Sequence, residues 1–174
     1  MLINPTILAR AEQYANRRRL ALAGILGAGK DGSVWQTTYS SALKIHDVRE
    51  SYVIERDAYI RLRDLKVEEV AGFSVPLLLD HDDGLFAIEM TSVTPPFLLD
   101  FASAIFDEPP DFIEDEGHTF EDFIRGRFDD HADRVLDLYY ELGARTGIYL
   151  PDMHSQNVKF ADGGAGGSSA GEAS

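Results

Sequence analysis

The chain has 174 residues, 44% of them hydrophobic, which is the length of one domain with enough apolar material to bury a core. Its 30 acidic residues outnumber 16 Lys and Arg, a formal net charge of −14 that excludes the basic surface nucleic-acid binding needs. With no cysteine, disulfides and thiolate zinc sites are excluded as well.

The first element is "NPTILARAEQYANRRRL", which predicts a helix capped by Asn4 with Pro5 at its first position. "RRRLALAGILGAG" then imitates a secretion signal, but sixteen residues precede its arginines and the apolar run doubles as a first strand. No stretch approaches the roughly 20 apolar residues of a membrane span, so no membrane contact and a cytoplasmic location are expected.

The next stretch, "LGAGKDGSVWQTTYSSALKIH", sets three glycines beside strand-like runs. Gly24 to Lys30 fits GxxxxGK, but Asp31 follows where a phosphate loop needs Ser or Thr, and no helix pattern comes after it. Gly27, Gly29 and Gly32 also form GxGxxG, with Asp47 at a tempting distance for a ribose contact. That fingerprint must open a helix, whereas "SVWQTTY" and "SALKI" read as two strands around a polar turn. Two readings stay open on this segment alone. Gly27, Gly29, Gly32 and Val34 form the tip of a hairpin over nucleotide phosphates with Lys44 reaching them, or the stretch is a plain glycine-rich turn with a surface lysine.

"YVIERDAYIRLRDL" follows with an imperfect helical stripe and places Glu55 eleven residues past Lys44, in reach of a lysine on the neighbouring strand; Glu50 is a substitute. "DHDDG" joins "VPLLL" to "LFAIEM" as a hairpin turn, and His81 between its aspartates reads as turn rather than metal site. "PPFLLDFASAIF" reads as a proline stop and a short helix. Half the residues from Asp107 to Asp122 are acidic and none is Lys or Arg, which describes a solvated loop or a docking surface for a basic protein partner. "DDHADRVLDLYYELGARTG" predicts a helix with acidic residues in its first turn and Gly143 near its end. "GIYLPDMHSQNVKF" spaces Asp152 and Asn157 as D-x-x-x-x-N, and "GGAGGSSAGEAS" is a tail without structure whose GxSxG lacks any strand context.

Taken in order, the glycine hairpin, Lys44, Glu55, the "LFAIEMT" strand and "DMHSQN" resemble the protein-kinase superfamily. The D-x-H-x-x-N loop is most similar to kinase-like small-molecule phosphotransferases and atypical kinases. The resemblance implies an α+β fold over 1–162: a small antiparallel-sheet lobe with one helix, about 1–90, and a reduced helical lobe, about 91–162, with 163–174 as tail. It implies ATP and Mg2+ as cofactors. Lys44 would hold phosphates, Glu55 would hold Lys44, and the backbone of Glu89 to Thr91 would face adenine with Ile88 near the gatekeeper position. Asp152 would take the proton of an acceptor hydroxyl and Asn157 would hold metal. Asp162 in "FADGG" is either a degenerate metal aspartate or, as the Asp-Gly signal favours, a turn residue. Leu150 and Pro151 stand where protein kinases have His and Arg, and few residues follow Asn157. The alternative function is therefore a pseudokinase-type module that binds a protein partner with little or no catalysis.

Overall fold

The computed structural model describes residues 3–29, 32–111, 119–155 and 157–161. Helix α1 (Pro5–Arg18) starts where Asn4 accepts the Thr6 N–H at 3.0 Å, with Pro5 at its first position, and stops at left-handed Arg19. Strands β1 (Leu22–Gly29), β2 (Gly32–Thr37) and β3 (Ser41–His46) follow, then α2 (Arg49–Asp64). Short strands β4 (Glu69–Val70) and β5 (Phe73–Ser74) lead into the hairpin of β6 (Leu78–Asp82) and β7 (Ala87–Thr91). After β8 (Phe97–Leu98) and β9 (Ile105–Phe106) come α3 (Phe120–Phe128), a 3-10 turn at Asp129–His131 and α4 (Ala132–Thr146). Strands β10 (Ile148–Tyr149) and β11 (Val158–Lys159) flank the D-x-x-x-x-N loop.

The order β1-β2-β3-β7-β6 makes one antiparallel sheet, and β3 at its centre is buried along its whole length. Strand alternation explains why both faces need cover. Trp35, Leu43, Ile45 and Ala87 point to one face and pack against Ile7, Ala11 and Tyr14 of α1. Val34, Ala42, Ile88 and Met90 point to the other, against Tyr52, Ala58, Tyr59 and Leu62 of α2. That second core runs on without a break into Ile124 of α3 and Val135, Leu138 and Leu142 of α4. Each fully buried side chain of this size contributes about 1.5–3 kcal/mol. The expected α+β architecture, a small antiparallel sheet with a helix behind it followed by a helical part, is the one observed.

Two local expectations are corrected. "PPFLLDFASAIF" forms strands β8 and β9 around a turn, not a helix: β8 pairs with β11, β9 pairs with β10, and Asp100 between them is left-handed at φ 68. The acidic segment ends in helix α3, begun by a capping box in which Thr119 and Asp122 each accept the other's backbone N–H. Gly143 lies near the end of α4 as expected, where a Cβ would sit 2.3 Å from the Tyr149 ring, and Gly147 in the left-handed region ends the helix.

Candidate functional site

Register carries Lys44 to the α2 face. It lies opposite Val34 on β2, and directly opposed residues of an antiparallel pair share a face. Glu55 is buried on α2 beneath it. Lys44 Nζ donates to Glu55 Oε2 at 2.5 Å and to Asp100 Oδ1 at 3.1 Å. Burial alone would lower the Lys44 pKa, but the carboxylates of Glu55 and Asp100 outweigh it and hold it above the ordinary lysine value. Burial likewise opposes the Glu55 charge, yet Lys44 and His46 push its pKa down to about 2. His46 Nε2 lies 3.2 Å from the same Glu55 oxygen, within ion-pair range but without hydrogen-bond alignment. An ammonium has three N–H donors, and among the described residues two are engaged. The third is free for an anion. Glu50 is exposed in the first turn of α2 and takes no part.

Above Lys44, β1 and β2 form the glycine hairpin. A methyl group at Gly27 or Gly29 would meet nothing within 4 Å among the described residues, whereas one at Gly32 would fall 2.0 Å from the Ile45 carbonyl oxygen. At φ 139, Gly32 serves the close approach of two backbones; Gly27 and Gly29 leave open room. Lys30 and Asp31 at the tip lie outside the described residues, as do Asp162 and the tail.

Below Lys44 lies the D-x-x-x-x-N loop. Asn157 is buried and closes the loop on itself: its Nδ2 donates to the Asp152 carbonyl at 3.1 Å and its Oδ1 accepts the His154 N–H at 2.9 Å. An amide oxygen has two lone pairs, and among the described residues one of them has no donor, which leaves it for a cation. Asp152 is exposed, and its Oδ1 accepts from Arg127 of α3 at 3.1 Å; Arg127 also reaches the Met153 carbonyl. The loop meets the Lys44 cluster through β8, where the Leu99 N–H donates to the Asn157 carbonyl at 2.8 Å, one residue before Asp100. Lys44, Glu55 and Asp100 are thus in direct contact, and Asn157 and Asp152 are tied to them through the backbone. The oxygen donors Asn157 Oδ1 and Asp100 suit a hard cation such as Mg2+, which takes few protein ligands. Among the described residues, no group of three or more His, Cys, Asp or Glu residues is placed to hold a metal, His81 included.

Glu89 and Thr91 sit differently. The Glu89 carboxylate turns to the α1 face, where it accepts from Tyr14 at 3.0 Å and Ser41 at 2.7 Å. The Thr91 N–H donates to the Leu77 carbonyl, and its hydroxyl accepts the Leu77 N–H. Ile88 is buried opposite Lys44. Ladder pairing of β7 stops at Thr91, and among the described residues the backbone of 92–95 is in no ladder before β8 pairs with β5 and β11. Sequence reasoning missed Asp100 and Arg127. Asp100 had one signal, a D-F pair ending an apolar run, and Arg127 had none.

No protein-family model matches the chain, and no curated protein does. Solved structures do match in part. A ternary complex of streptomycin, ATP and APH(2″)-IIa aligns at 15% identity with a TM-score of 0.40, over 54% of this chain and 30% of that one. ADP-bound aminoglycoside phosphotransferase APH(2″)-Ib aligns at 16% and 0.39, over 49% and 28%. A gentamicin complex of APH(2″)-IIa gives 14% and 0.41, over 54% and 29%. The chain therefore spans under a third of the length of these proteins. Among the described residues no helix is long and apolar enough to cross a membrane.

Proposed function

We propose that this chain binds ATP with Mg2+ between the glycine hairpin and the D-x-x-x-x-N loop, and transfers the γ-phosphate to a hydroxyl acceptor. The observation that carries this reading is Lys44: a charged lysine held under a glycine hairpin by a buried glutamate, beside a loop that carries an exposed aspartate. A buried ion pair is a poor investment in stability alone, because desolvation cancels much of its attraction. An ammonium with a donor to spare beside open glycines is instead suited to phosphate.

In this reading the hairpin lies over the phosphates, with Gly27 and Gly29 leaving their backbone close to the ligand. Lys44 neutralises charge, and Glu55 keeps Lys44 protonated and aimed. Asp152 orients the acceptor hydroxyl and accepts its proton, while Arg127 sets the direction of that carboxylate. Asn157 fixes the loop and offers its amide oxygen to Mg2+, which supplies charge neutralisation at the phosphates when bound. Phosphoryl transfer needs mostly positioning and electrostatics, which such a set can provide. A cytoplasmic setting, where ATP is plentiful, goes with this reading.

Calorimetry of ATP binding with Mg2+, on wild type and Lys44→Ala, is the primary test. Binding lost in the variant supports the reading, and no binding in wild type removes it. Phosphate release or transfer assayed with Asp152→Asn then separates enzyme from module. Turnover abolished with affinity kept supports the proton-accepting role. Tight binding with no turnover in wild type leaves a nucleotide-binding module that engages a protein partner.

A further inference from the structure

The D-x-x-x-x-N loop supplies one cation ligand, the Asn157 oxygen, whereas kinase-type sites pair that asparagine with the aspartate of a D-F-G segment after it in the chain. We infer that the second ligand here is Asp100, so that the carboxylate precedes the loop in sequence and adjoins it in space. This rests on the nucleotide reading above.

Strand pairing carries the inference. β8 runs antiparallel to β11, with Leu98 opposite Val158, the residue after Asn157. The next residue, Leu99, donates its N–H to the Asn157 carbonyl, and the one after that is Asp100. Downstream, β9 pairs with β10, the strand that enters the D-x-x-x-x-N loop. The loop is therefore bracketed on both sides by the segment that contains Asp100, and β8 takes the place of a strand following the loop.

The side chains agree. Asp100 Oδ1 accepts from Lys44 Nζ and from the Ala102 N–H at 3.3 Å. Among the described residues nothing donates to its Oδ2, and the side chain is 36% exposed, so one oxygen faces outward from the cluster. Phe101, the next residue, is fully buried and meets the Tyr59 ring edge-on at 5.2 Å, which anchors the turn in the core. The Tyr59 hydroxyl is buried with no hydrogen-bond partner among the described residues. Burial first, then Glu55 and Asp100, raises its pKa, so it remains a neutral O–H beside these carboxylates. Asp100-Phe101-Ala102 thus reads as a D-F-A counterpart of D-F-G, met in reversed chain order.

The test is calorimetry of the full chain with a non-hydrolysable ATP analogue, in EDTA and in Mg2+. In wild type Mg2+ should tighten binding by roughly tenfold or more, a common scale for coupling between two ligands. In Asp100→Asn the affinity in EDTA should be kept or rise, because an anion beside the phosphates is gone, while the gain from Mg2+ disappears. A gain from Mg2+ undiminished in Asp100→Asn overturns the assignment. Loss of binding in EDTA as well as in Mg2+ also overturns it, since that makes Asp100 a structural partner of Lys44. Wild type that binds no analogue at all removes the nucleotide reading itself, and this inference with it. A second measurement needs no variant. With Mn2+ and the analogue, the amide resonances of Leu99, Phe101, Ala102 and Asn157 in wild type should broaden before others. Broadening centred beyond Phe160 would assign Asp162 instead.

Discussion

Glu55 is 1% exposed and yet ionised, because Lys44 and His46 both sit on it. Its pKa falls from 4.5 to about 2 on folding, so the folded state binds fewer protons than the unfolded chain between those values. The stability this provides is complete above pH 4.5 and is lost as pH falls through about 2. Urea unfolding followed from pH 5 to pH 2 should therefore show a loss of a few kcal/mol, with a shallower slope in Glu55→Gln. Identical slopes in the two proteins would mean that the carboxylate is not charged inside the fold. Removing the cation is the harsher change. Lys44→Met leaves Glu55 buried without its main partner and should cost about 3 kcal/mol, and Lys44→Met with Glu55→Gln should recover much of that. If the double variant is as unstable as the sum of the singles, the two side chains are not coupled.

The glycine hairpin separates folding from ligand contact at the level of one element. Gly32→Ala places a Cβ 2.0 Å from the Ile45 carbonyl oxygen, at a φ of 139 that L-residues avoid. It should cost about 3 kcal/mol or more in chemical denaturation. Gly29→Ala meets no atom within 4 Å among the described residues, so stability should hold while nucleotide affinity falls. Equal affinity in Gly29→Ala and wild type would argue that the hairpin does not lie over the phosphates. This hairpin, α1 with its Asn4 cap, and α2 were legible in the sequence because each has a local signal: glycine spacing, a capping residue, a helical stripe. The β8–β9 segment was not. "FLLDF" is a short apolar run, which periodicity cannot assign to helix or strand, and its antiparallel partners β10 and β11 lie on the far side of α4 in the chain. Asp100 was hidden for the same reason, since nothing local announces a contact with Lys44. Gly143 near the end of α4 was legible, but not the reason for it, which is the Tyr149 ring packed on it from beyond the helix.

At the scale of the whole molecule, the second core joins α2 and the sheet to α3 and α4, while the candidate site sits where β3, α2, β8 and the D-x-x-x-x-N loop converge. A ligand there touches both the sheet and the helical part, and by mass action it stabilises only the state in which they are docked. At about a hundredfold over its dissociation constant, Mg2+·ATP should add roughly 2.7 kcal/mol. For a domain of this size that is a rise in Tm of roughly 5–10 °C. Differential scanning calorimetry should show the rise in wild type and little of it in Lys44→Met, each compared with its own ligand-free baseline so that the lower starting stability of the variant does not enter. Hydrogen exchange should slow on β1 and β2 and also on Leu99 to Ala102, because the nucleotide bridges elements that are otherwise joined by few backbone bonds. Protection confined to the sheet would place the ligand away from Asp100, and an equal rise in Tm in Lys44→Met would remove Lys44 as a phosphate ligand.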